Sequence, residues 1–324
     1  MIPIRDTVSS RNYPVVNSTL IGINIVVFLI QISQGVDFDR FIYFYGLVPA
    51  RYSVPQIAAY FSISQQLLAL LTFMFLHGGF LHLLGNMWSL YIFGDNVEDH
   101  LGPVRYIAFY LLCGLASGLS HLFASYYSNV PTIGASGAIA GVMGAYIILH
   151  PKAKILTLVP IFIIPWFVEI PAFVFLGLWF VMQFWHAAGS SGTAGGIAWW
   201  AHIGGFVFGI LFIKVIALIP VTGISQKVRR VTEKKKTHRL QVIRPAGAGA
   251  EAHLYATIQI SPYEALTGTR KIVNIPWGFH KRLVRVAVPP GIREGTRLRL
   301  RGMGKQMSNG PRGDLFLKVV LKPV

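Results

Sequence analysis

Six stretches of this chain are each long and apolar enough to cross a bilayer, and that restricts the fold more than any other feature of the sequence. They lie at roughly 15–33, 79–97, 104–126, 134–150, 168–187 and 197–219. A spanning helix takes about 20 mostly apolar residues. In hydrocarbon every backbone N–H and C=O must be satisfied within the protein, so such segments are read as helices. A mean hydropathy of +0.55 and a charged fraction of 13% exclude a purely soluble chain. Charge is divided unevenly: residues 1–224 hold 8 Lys/Arg and 7 Asp/Glu, whereas residues 225–324 hold 21 and 5. The fold expected is an all-α polytopic membrane domain of six helices (1–224), a basic linker (225–250) and a small all-β soluble domain (251–324). A single cysteine, Cys113, excludes a disulfide scaffold and a cysteine-built zinc site.

The first span follows a polar start and lacks a small-residue cleavage site, so it is expected to be a retained helix and not a signal. The long segment after it, with Tyr43, Tyr45, Pro49, Tyr52 and Pro55, reads as an interfacial loop with short helices. Two apolar runs stay ambiguous. Residues 67–76 are expected at the membrane surface or packed on the bundle; in 155–166, Pro160 and Pro165 argue against a full helix. Orientation follows from positive charge in short loops. Arg5, Arg11, Arg105, Lys152, Lys154 and the basic tail share one side, against Arg40 and Arg51 on the other. Both termini are therefore expected in the cytoplasm, with the body in a plasma or inner cell membrane.

Polar side chains inside a membrane are costly unless paired, which makes them candidates for function. Three clusters stand out. His77 to Asn86 enters the second span, and His82 and Asn86 share one helix face at i, i+4. Gly134-Ala135-Ser136-Gly137 opens the fourth, and Ala201-His202-Ile203-Gly204-Gly205 lies in the sixth. Each has a plain structural reading: a serine bonded back to its own helix, a hydrogen-bonded packing histidine, glycines that let helices approach. Gly137 with Gly141 and Gly205 with Gly209 are small-xxx-small pairs. The structural and chemical readings reinforce one another, because a hydroxyl and an imidazole on different helices meet only where the backbones come unusually close. Ser136 is then the candidate nucleophile and His202 its general base, working as a dyad, since Glu98 and Glu169 sit near helix ends. His82, Asn86 and the Ser136 backbone N–H, near a helix start, are candidate oxyanion donors.

Together, H-x-x-x-x-H-x-x-x-N, G-x-S-G and A-H-x-G-G, in that order among six spans, resemble the rhomboid family of intramembrane serine proteases over about residues 10–220. The resemblance implies Ser136 as nucleophile, His202 as base, and His82 and Asn86 as the oxyanion pair. Gly134 matches the glycine of the nucleophile motif, His77 a structural histidine, and Glu98 with Gly102 an E-x-x-x-G turn. It also implies transmembrane protein substrates cut at or just inside the bilayer, with no metal or cofactor. One position departs: some members carry an aromatic residue four after the serine, beneath the histidine, where this chain has Ala140. The imidazole must be oriented by another group. The glycine-rich loop 187–196 reads equally as a mobile cap over the site or as a surface turn.

In the linker, Lys234-Lys235-Lys236 reads as a topology signal or as a run attracting anionic lipid. From residue 252 the pattern alternates with period two between turn sequences, which predicts a small antiparallel β domain. The stretches at 260–269, 288–304 and 313–319 resemble one client-binding lobe of DnaJ-type co-chaperones. There is no His-Pro-Asp tripeptide, cysteine-rich module or second lobe. That resemblance implies unfolded or hydrophobic polypeptide segments as partners; nucleic acid is not expected, since aromatic residues are sparse in the basic segments. The leading functional reading is an intramembrane serine endopeptidase with a client-binding lobe. The alternative is a non-catalytic, quality-control factor of the same fold that binds membrane proteins. Zinc and aspartyl intramembrane chemistries fail, because no His is followed by Glu and only Asp95 lies near a span.

Overall fold

Helix α1 (Val15–Ile32) is polar on the inside. Its buried residues are Asn17, Leu20, Asn24, Phe28 and Gln31, while Ile23, Ile25, Val26, Leu29 and Ile30 are exposed. In lipid an outward apolar face meets acyl chains, and inward amides gain by pairing between helices. Asn17 Nδ2 donates to the Leu90 carbonyl at 3.0 Å, and its Oδ1 accepts from the Tyr106 hydroxyl at 2.7 Å. Gln31 exchanges two hydrogen bonds with the backbone of His77, at 2.6 and 3.0 Å.

The computed structural model describes residues 1–161, 164–189, 198–218, 220, 223–234, 241–243, 245, 252–277, 280–306 and 312–322, in two compact units, Met1–Lys234 and Lys235–Val324. In the first unit, the loop after α1 holds α2 (Phe38–Tyr45), α3 (Ala50–Ser53) and α4 (Pro55–Ala58), followed by α5 (Ile63–Thr72). Within it Arg51 is fully buried, its guanidinium 3.8 Å from the Phe61 ring and donating to the Phe44 carbonyl at 2.9 Å. Then come α6 (Phe80–Leu101), α7 (Pro103–Ala124), α8 (Ser136–Leu149), α9 (Ala172–Gly189) and α10 (Trp199–Leu218). Among the described residues α1, α7, α9 and α10 are long and apolar enough to cross a membrane. A fifth crossing is added if α5 and α6, bent by 78°, count as one. The expected six spans are thus not all met by length and composition. The last turns of α6 carry Asp95, Glu98 and Asp99, and α8 has only 14 residues. Helix α8 packs against α6, α7, α9 and α10, and every residue from Gly137 to Tyr146 is buried.

The E-x-x-x-G spacing has a mechanical explanation. The Glu98 carboxylate accepts from the Val16 and Asn17 amides at 3.0 and 2.8 Å, so one side chain caps the start of α1. Anionic groups are favoured there by the unsatisfied N–H groups of the first turn. Four residues on, Gly102 closes α6 with its N–H on the Glu98 carbonyl at 2.7 Å and a φ of +79°, which turns the chain into Pro103 at the start of α7.

Two readings of the sequence are corrected here. The stretch 154–171 is a β-hairpin, β2 (Lys154–Ile161) with β3 (Ile164–Pro171), to which β1 (Ile2–Asp6) adds as a third strand beside β2. Its β-branched residues favour extended pairing, and the cross-strand pair Pro160 and Pro165 sits next to the turn, where missing donors cost least. Helix α9 accordingly starts at Ala172 and not near 168. The Tyr146 hydroxyl donates to Asp6 Oδ2 at 2.6 Å and ties this sheet to α8. Burial pushes the Asp6 carboxyl up from its ordinary range, with the Tyr146 hydrogen bond opposing. Secondly, the stretch read as linker begins inside a helix, α11 (Gly223–Thr232). Residues 235–240, 244 and 246–250 lie outside the described residues.

In the second unit β4 (Gln241–Val242), β6 (Thr269–Trp277) and β7 (His280–Val288) form one sheet; β5 (Leu254–Ile260), β9 (Leu315–Leu321) and β8 (Arg297–Leu300) form another. Their core includes Leu254, Ile258, Ile260, Val273, Ile275, Val286, Leu315, Leu317 and Val319. The pairing is mixed and not purely antiparallel: β5 runs parallel to β9, and β4 to β6. Parallel neighbours need a long connection, and all of α12 (Pro262–Thr267), β6, β7 and β8 intervene between β5 and β9. Ser261 and Glu264 form a capping box at the start of α12.

Replacing Glu98 with Ala strands two amides at the start of α1. It is expected to cost about 1–3 kcal/mol, read as a lower thermal unfolding midpoint in detergent.

Candidate active site

The site is built where α8 and α10 touch. A Cβ on Gly205 would collide with the Gly137 carbonyl, and one on Gly209 with the Gly141 carbonyl. The two small-xxx-small pairs therefore lie against each other, one pair from each helix. Helix α7 closes in as well: a Cβ on Gly137 would run into Ser117 of α7. Two backbones and the Ser117 side chain meet with no room for a methyl group, a packing mode suited to lipid, where close van der Waals contact drives helix association.

That approach brings Ser136 and His202 together. Ser136 Oγ lies 2.7 Å from His202 Nε2. His202 is 9% exposed, and its Nδ1 is 2.7 Å from Gln183 Oε1 on α9. The Trp179 and Trp199 rings lie 5.9 and 6.1 Å from the imidazole, the first tilted by 34° and the second edge-on at 88°. Position 140, four after the serine, is a buried alanine in α8, so the groups that hold the imidazole come from α9 and the start of α10. Gln183 and the two tryptophans were missed in the sequence. The available signal was a lone amide in an apolar span, one turn after a tryptophan.

His82 and Asn86 stand on the same side. Gly134 has a φ of +127°, and a Cβ there would sit 2.9 Å from His82 Nε2 and 3.6 Å from Asn86 Nδ2. Glycine is needed both for the backbone angle and for the approach. His82 Nδ1 accepts from the Gly78 amide at 3.3 Å, which leaves the proton of a neutral ring on Nε2, facing Gly134. Asn86 Nδ2 is buried with no partner among the described residues. Two donors thus converge beside the entry to α8. The Ser136 amide is in the first turn of that helix, where no intrahelical acceptor exists. His77 is fully buried, clamped through its backbone by Gln31, with its ring edge-on to His82 at 5.1 Å. Among the described residues no group of three His, Cys, Asp or Glu could hold a metal ion. Residues 190–196 of the loop read as a cap lie outside the described residues.

The fold and site define a polytopic membrane protein with a serine–histidine pair between closely packed helices. Comparison with known proteins bears on the fold. Residues 64–218 match the Rhomboid domain family and residues 254–324 the DnaJ C terminal domain family. The chain is thus similar to a rhomboid domain in its first part and to a DnaJ C-terminal domain in its last. It is 29% identical over 229 residues to Rhomboid protein 1, mitochondrial, of Saccharomyces cerevisiae, covering 68% of this chain and 56% of that protein. It is 32% identical over 182 residues to RHOMBOID-like protein 4 of Arabidopsis thaliana, covering 53% and 39%. The tail is 38% identical over 68 residues to a DnAJ-like protein of Synechocystis sp., covering 21% and 19%. The chain spans about half the length of the yeast relative and about a quarter of RHOMBOID-like proteins 5 and 6 of Arabidopsis.

Gly205→Val is expected to lower stability by about 1–3 kcal/mol through overpacking. Gly177→Ala is the control, since a Cβ there meets nothing within 4 Å. Thermal unfolding of both variants in detergent checks the contrast.

Proposed function

We propose that this protein is an intramembrane serine endopeptidase acting on transmembrane protein substrates. The observation that carries the reading is the 2.7 Å approach of Ser136 Oγ to His202 Nε2 across two glycine-lined helices. Ser136 Oγ attacks the scissile carbonyl carbon while His202 Nε2 takes its proton. Negative charge then develops on the carbonyl oxygen, beside the Ser136 amide, His82 Nε2–H and Asn86 Nδ2–H, which stabilise it. Collapse breaks the C–N bond, His202 protonates the leaving amine, and an acyl ester remains on Ser136. A water molecule, deprotonated by His202, hydrolyses the ester and restores the serine. A helical substrate hides its carbonyls in i→i−4 bonds, so it must unwind before attack.

The charge distribution supports a membrane orientation with both termini in the cytoplasm. The second unit then acts there as a lobe that binds unfolded or hydrophobic polypeptide segments and recruits substrates. A fluorophosphonate probe with a model transmembrane substrate tests the chemistry. Wild type is expected to label and cleave, and Ser136→Ala to do neither. Wild type that folds but neither labels nor cleaves would instead favour the non-catalytic reading, a rhomboid fold that captures membrane proteins. Asn86→Ala is expected to lower kcat about 10²–10³-fold. Deleting residues 251–324 is expected to preserve cleavage of a generic substrate and to alter selectivity among substrates; loss of cleavage by a well-folded truncated protein would refute the recruitment role.

A further inference from the structure

We propose that Gln183 is a positioning residue that completes a Ser136–His202–Gln183 triad by deciding which imidazole nitrogen carries the proton. The proposal rests on the peptidase reading above, but its structural part stands apart from turnover. A primary amide has one accepting end and one donating end. Gln183 Nε2 donates to the Trp179 carbonyl, one turn earlier in α9, at 3.2 Å. A carbonyl oxygen only accepts, so the NH₂ end of the amide must face it and Oε1 must face His202. Oε1 also only accepts, so His202 Nδ1, 2.7 Å away, carries the ring proton. A neutral imidazole has a single N–H, which leaves Nε2 with its lone pair toward Ser136 Oγ at 2.7 Å. One main-chain carbonyl of α9 thereby sets the direction of every hydrogen bond in the relay, and the serine hydroxyl is left to donate.

The surroundings fit that role. Gln183 is 5% exposed and His202 9%, so water competes little for either end of the amide. Position 140 is alanine and offers no ring to stack on the imidazole; among the described residues the orienting contacts come from Trp179, Gln183 and Trp199. An ionised carboxylate in Gln183's place would be costly to desolvate. An amide supplies the same acceptor with no net charge. It fixes the tautomer without drawing a second proton onto the ring.

The test compares wild type with Gln183→Met, close in shape but without the acceptor, and Gln183→Glu, which keeps one. Nitrogen-15 histidine spectra in micelles, with the His202 signal assigned by its loss in His202→Ala, read the tautomer directly. Wild type is expected to show protonated Nδ1 and unprotonated Nε2, and Gln183→Met a mixture of tautomers. In turnover, Gln183→Met is expected to lose about 10²-fold in kcat with KM little changed. Gln183→Glu is expected to recover at least about tenfold of that loss and to move the acidic limb of the pH profile upward by about 1–3 units, because a carboxylate favours the imidazolium. An unchanged tautomer in Gln183→Met, or wild-type turnover in that variant, would overturn the proposal. So would equal failure of both variants, at unchanged unfolding midpoints, with no movement of the pH profile. Absence of cleavage by wild type would count against the peptidase reading alone, since the spectra still decide the tautomer.

Discussion

The whole membrane unit depends on how near two helix backbones can come. Gly137 and Gly141 of α8 face Gly205 and Gly209 of α10 with no space for a methyl group. Water supplies no hydrophobic drive inside a bilayer, so contact of this kind has to be won atom by atom from packing. The same closeness that holds the bundle also sets the Ser136–His202 distance. Stability and chemistry are therefore not separable at this seam: a change that loosens one loosens the other.

Around that seam the bundle follows an inverted version of the rule for soluble proteins. Asn17, Asn24 and Gln31 of α1 turn inward and bond to neighbours or to their own helix, and Glu98 of α6 is spent on the first turn of α1. Removing a partner from any of these bonds would strand a polar group in a region poor in water. The interior is thus specified by hydrogen bonds as much as by shape, while the outer faces need only be apolar.

Much of this was legible before any coordinates. His82 and Asn86 one turn apart, and glycines four apart near Ser136 and His202, are local facts that spacing alone exposes. Gln183 was not legible, because one amide among Phe, Trp and Met looks like a tolerated substitution until the histidine it faces is known. The hairpin at 154–171 was hidden for another reason. A β-branched apolar strand pair and part of a membrane helix have the same hydropathy, and only the pairing of the strands with each other and with Ile2–Asp6 distinguishes them. In the second unit, period-two alternation announced strands, but strand order and direction depend on contacts far apart in the chain, so the parallel β5–β9 pair could not be read locally.

The way the chain leaves the membrane unit has a mechanical consequence. Past α10, helix α11 is pinned to the corner between α6 and α7: Arg229 reaches the carbonyls of Asp99 and His100, and Ser225 lies against Gly102. Beyond it, the main chain is laced to the N-terminal segment through Tyr13 to Thr232 and Lys234 to Arg11, with the Lys234 ammonium on Ser10. This is the geometry of a cable gland. A tug on the tail would be met first by the anchored cord at its collar, before it reached the helix that bears the imidazole.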